Sequence, residues 1–303
     1  MKLIHFFRIA SLSLGLSITL LTCSNSNQLV RTSQGAEPAS TPVSSQDQIL
    51  YQKKDLPSSI AHILSIPINN SYSINLKVSP QVEYVEQFAA QTNAIAVLNA
   101  GFFDPKNQKT TSYIIQNGKI TGDPKQNERL MNNPDLQAYL KAILNRSEWR
   151  QYQCQNTLKY SIAFHQDPIP AGCKLINSIG GGPRLLPSLT AQTEAFITMQ
   201  NGQMIRDALG YNRRNARTAI GITENHLIWV MIAQKPELPK DSGMSLPELA
   251  NFLKSLGAKE ALNLDGGSSS SLYYQGKTFY GKVDPEGKTI KRPVKSVLVL
   301  IDN

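Results

Sequence analysis

The segment from Ala261 to Leu272 constrains the fold more strongly than any other part of the sequence. Apolar residues at positions 261, 262 and 264 predict a short buried strand, which ends at Asp265 and is followed by Gly266, Gly267 and four serines. A charged residue at the end of a buried strand, beside glycines that let the backbone bend sharply and approach a ligand, is typical of a polar pocket. We therefore predict that Asp265 takes part in chemistry; the alternative is an Asx-type turn in a solvated hairpin.

The amino terminus has the features of an export signal. Residues 1–22 combine two basic side chains with an apolar run that is too short to span a bilayer comfortably. The run ends in Leu20-Leu21-Thr22-Cys23, which resembles the lipobox of bacterial lipoproteins, although Thr22 stands where Gly or Ala is usual. We predict a lipoprotein-type signal peptide with lipidation at Cys23, and thus a periplasmic protein or one anchored to a membrane by its lipid. The alternative is an ordinary cleaved signal peptide with a chance cysteine.

Residues 23–48 and residues 49–303 differ in composition. The first range is rich in Ser, Thr, Asn, Gln and Pro and has few large apolar residues, so it predicts a disordered tether. The second range is long enough, in a chain that is 41% hydrophobic, to bury a substantial core. It predicts one large domain.

Cysteine and histidine usage bears on compartment and on metal binding. With Cys23 set aside, Cys154 and Cys173 remain as an even pair in an exported chain, and we predict a disulfide between them. The four histidines are scattered without metal-ligand spacing, so we predict no zinc site and no cofactor. Oxygen ligands are plentiful near Asp265, so a bound Ca²⁺ or Mg²⁺ is the alternative to a site without metal.

The net charge bears on the choice of partner. The formal charge is +9, and removal of residues 1–22 leaves +7. The positive residues neither gather on one helix nor alternate with aromatic residues, so we predict no nucleic-acid partner. An anionic substrate or envelope accounts for the charge, with solubility alone as the alternative.

Short alternating segments and hairpin turns determine the predicted fold class. Turns are predicted at Asn117-Gly118 and Asn201-Gly202, between segments with strand-like alternation. Residue spacing predicts helices over 80–93 and 246–257, and an irregular, partly helical insertion over 123–153. We predict an α+β fold: a single domain of mixed, largely antiparallel β-sheets with a few packed helices. At 80–98 and 246–264 a predicted helix leads directly into a predicted strand, and parallel strand pairs are the alternative there.

A second predicted strand also ends on polar residues, in the run Asn99-Ala100-Gly101-Phe102-Phe103-Asp104. Asn99 could hydrogen-bond a substrate hydroxyl or position Asp265. The two phenylalanines offer flat apolar faces of the kind on which sugars stack, and core packing is the alternative for them.

Two further segments carry glycine or arginine at strand ends. The run Gly180-Gly181-Gly182 exposes backbone amides next to Arg184, which together could cradle a phosphate; the alternative is a turn where two strands cross closely. Arg217 introduces a buried strand, so we expect it to pair with a carboxylate or a phosphate. A structural ion pair, with Asp265 for example, is the other possibility for Arg217.

Four motifs in a fixed order carry a family resemblance. They are Asn99-Ala100-Gly101-Phe102-Phe103, Gly180-Gly181-Gly182-Pro183-Arg184-Leu185, Arg217-Thr218-Ala219-Ile220-Gly221 and Asn263-Leu264-Asp265-Gly266-Gly267-Ser268-Ser269. Over residues 60–302 the chain resembles the phosphodiester glycosidase family. One departure is visible, because the family commonly has a third glycine where this chain has Ser268.

The resemblance implies hydrolysis of the bond between a sugar's anomeric carbon and a phosphodiester oxygen, with a glycan or sugar phosphate as partner. Asp265 would be the catalytic carboxylate, Arg217 and Arg184 would stabilise the phosphate, and Asn99 would orient the substrate. Further substrate-binding residues would be Gly181, Gly182, Gly266, Gly267, Ser268, Phe102 and Asp104. A second carboxylate is left open between Asp104 and Glu224. The alternative function is a non-catalytic envelope glycan-binding or exopolysaccharide-assembly protein.

Overall fold

The computed structural model describes residues 48–69 and 71–303. The predicted signal peptide, the lipidation site Cys23 and the tether up to residue 47 lie outside the described residues. Within those residues, no helix combines the length and the apolar character needed to cross a membrane.

The elements follow one another in chain order as strands with a few short helices. The strands are β1 (Leu50–Leu56), β2 (Ser59–Pro67), β3 (Tyr72–Glu83), β4 (Ala96–Asn99), β5 (Ile114–Gln116), β6 (Lys119–Gly122), β7 (Ser147–Cys154), β8 (Thr157–Phe164), β9 (Cys173–Gly180), β10 (Arg184–Leu186), β11 (Ile197–Gln200), β12 (Gln203–Asp207), β13 (Arg217–Ile222), β14 (His226–Ala233), β15 (Glu260–Asn263), β16 (Ser271–Tyr274), β17 (Lys277–Tyr280) and β18 (Val294–Asp302). The α-helices are α1 (Val85–Thr92), α2 (Glu128–Met131), α3 (Leu140–Ile143) and α4 (Leu246–Ser255), and 3₁₀ turns cover Pro124–Gln126, Pro134–Tyr139 and Gly267–Ser269.

These strands form three larger sheets and one hairpin. A six-stranded sheet has the order β1-β2-β14-β13-β15-β10, a five-stranded sheet has the order β17-β16-β4-β18-β3, and a second five-stranded sheet has the order β6-β5-β9-β7-β8. In the described part of the chain, the strands of these sheets pair antiparallel, including β4 and β15, which follow helices. The predicted α+β class is confirmed, and the parallel pairs left open at 80–98 and 246–264 do not form.

The turns and the long helix follow from local chemistry. Hairpins turn at Asn117-Gly118 and Asn201-Gly202 as predicted. Helix α4 starts at a capping box, in which Ser245 and Glu248 satisfy each other's backbone amides, and it ends before Gly257 at φ 85°.

Helix α1 begins later than predicted. It starts at Val85 instead of near Pro80, because residues 72–83 continue as β3 and pair with β18. Its predicted end is confirmed: Asn93 adopts a left-handed conformation at φ 50°.

The predicted irregular insertion over 123–153 is wrong in its last part. Only residues up to 143 form short helical turns, whereas β7 pairs with β8 on one side and β9 on the other. A strand paired on both sides buries its polar residues, so the outward alternation that marks a strand in sequence is missing. Cys154 and Cys173 face each other across β7 and β9, 4.1 Å apart at Cα, and form the predicted disulfide.

The core lies between the six-stranded sheet and the sheet that contains β4. Trp229 and Leu262 from the first sheet pack with Leu98 and Leu298 from the second in one buried cluster. Helix α4 covers the outer face of the first sheet, and α1 covers the outer face of the second. Strands β4 and β15 therefore lie in facing sheets, and the residues that follow them meet at one edge of the sandwich.

Candidate active site

Asp265 is held at the meeting point of these two strand ends. Its backbone amide donates to the Ala100 carbonyl at 2.8 Å, and its own carbonyl accepts from Asn99 Nδ2 at 2.7 Å. The preceding amide, of Leu264, donates to the Thr218 carbonyl at 2.8 Å. Three segments thus fix the backbone that presents the carboxyl group.

The Asp265 side chain lines a cleft of about 1030 Å³. Its walls come from segments 208–217, 239–241, 263–267 and 282–285, together with Phe102. This volume lies at the upper end of the ~300–1,000 Å³ typical of small-molecule sites, so the cleft is large enough for a small-molecule ligand.

The protonation state of Asp265 is set by competing effects. Burial raises the pKa of this carboxyl group to about 7, against the hydrogen bond from Ser269, the positive charge of Arg292 and the hydrogen bond from the Gly266 amide, which all lower it. At neutral pH both protonation states are populated. A carboxyl group with that property can act as a general acid or base.

Cationic side chains outnumber acidic ones along the cleft. The cations are Arg213, Arg214, Arg217, Lys240 and Lys282, and the acids are Asp241, Asp265 and Asp284. Arg214 is bound to Glu248 at 2.7 Å. Lys282 donates to Asn215 Oδ1 at 2.9 Å, and burial together with the nearby charge of Arg217 lowers the pKa of its ammonium group. This excess of positive charge favours an anionic ligand.

Arg217 has neither the carboxylate nor the phosphate partner that we expected from the sequence. Its buried guanidinium donates to four backbone carbonyls, at 2.8 to 3.0 Å, which belong to Leu209, Gly210, Arg213 and Met244. Burial lowers the pKa of Arg217 to about 10, so the group stays cationic at neutral pH. Because it ties segment 208–215 to the start of α4, Arg217 organises a wall of the cleft.

Both polar atoms of the Asn99 side chain are bound within the protein and buried away from a substrate. It is fully buried; Nδ2 donates to the Asp265 carbonyl, while Oδ1 accepts from Thr218 Oγ1 at 2.7 Å and from the Ser271 amide at 3.0 Å. The sequence left two roles for Asn99, binding a substrate hydroxyl or positioning Asp265. Its hydrogen bond to the Asp265 carbonyl agrees with the second role.

Asn263 is a cleft residue that sequence reasoning missed. Its Nδ2 donates to the Gly182 carbonyl at 2.8 Å, and within the described residues its buried Oδ1 has no hydrogen-bond partner. A buried acceptor without a donor costs free energy, so this oxygen is an unusual feature of the cleft wall.

The Gly180-Gly181-Gly182 run does not cradle a phosphate. Its three amides donate to the carbonyls of Tyr113, Ser147 and Asn263, at 2.8, 2.9 and 2.7 Å. A side chain at position 181 would lie 2.6 Å from the Asn263 carbonyl oxygen, so the run is a close crossing of strands. Arg184 does not line the cleft either, and its guanidinium lies 5.0 Å from the Phe164 ring centroid.

Gly266 and Gly267 do line the cleft, but their amides are also bound within the protein. The Gly266 amide bonds to the Asp265 carboxyl group, and the Gly267 amide donates to the Ala216 carbonyl at 2.8 Å. These two amides, like those of Gly180–Gly182, are therefore not free to bind a substrate. Ser268 accepts a hydrogen bond from Arg292 at 2.7 Å.

Phe102 lies in the cleft, whereas the two candidate second carboxylates do not. Asp104 binds Arg129 at 2.7 Å, and Glu224 binds Lys259 at 3.1 Å on the surface. Asp241 and Asp284 are the other acids that line the cleft. They lie in polar loops whose sequence does not distinguish them from solvated turns.

The described residues contain no cluster of side chains that is arranged as a metal site. In the ranges 48–69 and 71–303, no group of three or more His, Cys, Asp or Glu side chains is arranged to hold a metal ion.

The comparisons with known proteins agree with this fold. The catalytic domain of zebrafish N-acetylglucosamine-1-phosphodiester alpha-N-acetylglucosaminidase, auto-inhibited by its pro-peptide, matches with a TM-score of 0.59 and 19% identity over 84% of this chain and 83% of that chain. A Burkholderia pseudomallei protein described as exported matches with a TM-score of 0.52 and 15% identity, over 80% of this chain and 74% of its own. A hypothetical protein from Synechocystis matches with a TM-score of 0.50 and 16% identity, over 84% of this chain and 62% of its own.

At these identities the structural matches show a shared fold alone, and no curated protein matches the sequence. The family comparison reaches further, since residues 92–301 match the model of the phosphodiester glycosidase family. Because that match covers well over half of the sequence, this chain belongs to the phosphodiester glycosidase family.

Proposed function

We propose that this protein is a glycosidase that hydrolyses a sugar-1-phosphodiester, such as an N-acetylglucosamine-1-phosphodiester, to free sugar and a phosphate monoester. The observation that carries the proposal is the position of Asp265, a carboxyl group with a pKa of about 7, in a cleft with an excess of cations. Family membership supports the same reaction class.

Asp265 would act on the anomeric carbon. Glycoside cleavage passes through an oxocarbenium-like transition state, and an ionised carboxylate assists it either by attacking the anomeric carbon or by taking a proton from the attacking water. In the overall reaction the hydroxyl of water joins the anomeric carbon, and the phosphate oxygen keeps the electron pair of the broken bond.

A phosphate leaving group needs cations more than it needs an acid, because it already carries the developing charge well. Arg213, Lys240 and Lys282 line the cleft and are suited to this role, which the sequence analysis gave to Arg217 and Arg184.

Asp284 is our candidate for the second carboxylate. Its Oδ1 accepts from the amides of Glu286 and Lys288 at 3.0 and 2.8 Å, which orders the side chain at the cleft wall. Asp241 lines the same cleft but is exposed.

We also propose that the protein works outside the cytoplasm, in the periplasm or anchored to a membrane through a lipid on Cys23. The Cys154–Cys173 disulfide and the exported relative support an extracellular or periplasmic location. Palmitate labelling of the wild type and of Cys23→Ser would test the lipid anchor.

The test of function is sugar release. Purified protein is incubated with an N-acetylglucosamine-1-phosphodiester, and free sugar is measured for the wild type, for Asp265→Asn and for the matched control Asp135→Asn, an exposed aspartate outside the cleft. We expect Asp265→Asn to lower the rate at least ~100-fold and the control to leave it unchanged. A parallel sample with a chelator tests for Ca²⁺ or Mg²⁺. Undiminished release by Asp265→Asn would refute the role of Asp265, and glycan binding without release would favour a non-catalytic glycan-binding protein.

A further inference from the structure

Lys282 is carried by a backbone that is fixed at the cleft wall through the preceding glycine. The Gly281 amide donates to the Ser270 carbonyl, and the Gly281 carbonyl accepts from the Gln234 amide, both at 2.8 Å. A β-carbon at residue 281 would lie 2.8 Å from Ser270 Cβ and 3.1 Å from Ala216 Cβ, so the chain passes where only glycine fits. The packing around Gly281 therefore determines where the Lys282 side chain leaves the backbone.

The ammonium group of Lys282 has a neutral partner in the cleft wall. Its Nζ donates to Asn215 Oδ1 at 2.9 Å, and among residues 48–69 and 71–303 it forms no ion pair with a carboxylate. Arg214 of the same cleft differs, because Glu248 neutralises it at 2.7 Å. An ammonium group offers three N–H donors, so two of those of Lys282 are unused. A half-buried cation without a neighbouring anion favours the binding of one.

The side-chain amide of Asn215 is oriented by two donors. Its Oδ1 accepts from Lys282 and also from the Ala216 amide at 3.0 Å, so its Nδ2 points away from both. Nδ2 lies 3.7 Å from the place that a β-carbon of Gly267 would take, and it has no hydrogen-bond partner in the part of the chain that the structure describes. Gly267 follows Asp265 closely, and its amide donates to the Ala216 carbonyl at 2.8 Å. Asn215 therefore presents an unused N–H donor beside the loop that follows Asp265.

Two unused donor groups thus meet at one point of the cleft wall. Lys282 Nζ is bonded to the oxygen of the same amide group whose nitrogen is Asn215 Nδ2, so one tetrahedral anion can reach both. We propose that Lys282 and Asn215 form the phosphate subsite of the cleft, in which the ammonium group and the side-chain amide donate to oxygens of the same phosphate group. Arg213 and Lys240 line the cleft as well, but they are exposed. The identity of the substrate rests on the proposed function, whereas phosphate binding at this subsite is measurable without turnover.

The experiment measures the affinity of the purified protein for inorganic phosphate by isothermal titration calorimetry. We expect Lys282→Met to weaken binding about 10-fold or more, because it keeps the length of the side chain and removes a charge-assisted hydrogen bond. Lys282→Arg should stay within about 3-fold of the wild type, since the cation is retained. Asn215→Asp should weaken binding about 30-fold or more, because a negative oxygen that repels phosphate replaces the unused donor while Oδ1 still accepts from Lys282.

Two matched variants make the same changes of charge at exposed positions of the same cleft. Asn212→Asp adds a negative charge, and Lys240→Met removes a positive one. We expect each to weaken phosphate binding by about 3-fold or less, because water and salt screen an exposed charge. Losses as large as those of Asn215→Asp and Lys282→Met would overturn the inference, because the net charge of the cleft and not the two donors would then be responsible.

Folding of each variant is checked by near-ultraviolet circular dichroism, and Asn215→Asp decides the question if Lys282→Met does not fold. A wild type that binds no phosphate at tens of millimolar, or an affinity unchanged in both variants, would overturn the inference even if the protein releases sugar. Affinity lost in both variants of a protein that releases no sugar would support the subsite and refute the proposed function. In an active enzyme, phosphate should inhibit sugar release competitively, and the inhibition constant should rise with the measured Kd in each variant.

Discussion

Two glycine-rich strand ends of this protein look alike in sequence and differ in what they build. Gly180–Gly182 begins at the last residue of β9 and Gly266–Gly267 lies shortly after β15, and the amides of both runs are bound within the protein. Around the first run the space left by the missing side chains is filled by protein atoms, with Glu194 Oε2 only 2.4 Å from where a β-carbon of residue 182 would lie. Around Gly267 the nearest such atom is 3.7 Å away, and the cleft lies open.

The comparison shows that a run of glycines near a strand end indicates close approach without saying what approaches. At Gly181 and Gly182 the approaching groups are strand β15 and the side chains of Glu194 and Phe196, and at Gly266 it is the Ala216 carbonyl. Gly267 alone faces the cleft without a close protein atom. The second run also lies beside Asp265, whose carboxyl group lines the same cleft. The following predictions test this difference, beginning with the largest expected effect.

The first variant is Gly182→Ala, which should destabilise the protein by about 3 kcal/mol or more. Residue 182 has φ 115°, which is disfavoured for alanine, and the new methyl group would overlap Glu194 and the Phe196 ring. Urea unfolding measures the loss. Gly172→Ala is the matched control, because Gly172 has φ 75° and no atom lies within 4 Å of the place that its β-carbon would take. Equal losses in the two variants would show that packing around residue 182 contributes nothing.

The second variant, Asp265→Asn, should stabilise the protein at high pH by about 1–3 kcal/mol. The folded-state pKa of Asp265 is raised from 3.8 to about 7, so between these values the unfolded chain releases a proton that the folded protein keeps. Wild-type stability should therefore fall as pH rises from about 4 to about 7, and Asn should remove this part of the pH dependence. Urea unfolding at pH 4, 6 and 8 measures it, with Asp135→Asn as control. A difference between wild type and Asp265→Asn that is the same at all three pH values would contradict the raised pKa.

The third variant, Gly267→Ala, should cost only about 1 kcal/mol of stability. Its φ of 61° is strained for alanine, but the methyl group would meet only Asn215 Nδ2 at 3.7 Å, an ordinary van der Waals contact. Urea unfolding gives the value for comparison with Gly182→Ala. A loss as large as that of Gly182→Ala would mean that Gly267 is packed as tightly as the first run, and the contrast between the two runs would fail.

The predicted site residues also fall into two groups, those that line the cleft and those that lie outside it. Asp265 and Phe102 line the cleft, and both lie in segments that come after a buried strand. Asp104 and Arg184 follow strands or lie at their starts as well, yet the cleft does not reach them. Nothing in the local sequence distinguishes the two pairs.

The sequence by itself determined the antiparallel hairpins, the end of α1 at Asn93, the end of α4 before Gly257 and Asp265 as the residue to examine. These features depend on residues a few positions apart, through alternation, turn conformation and capping. The tertiary structure alone decided that Asn99 supports Asp265 from 166 positions away, that Arg217 binds carbonyls, and that Lys282 brings positive charge to the cleft. The physical reason is that a polar group's role depends on which partner satisfies it, and those partners come from distant segments that meet only when the sheets pack.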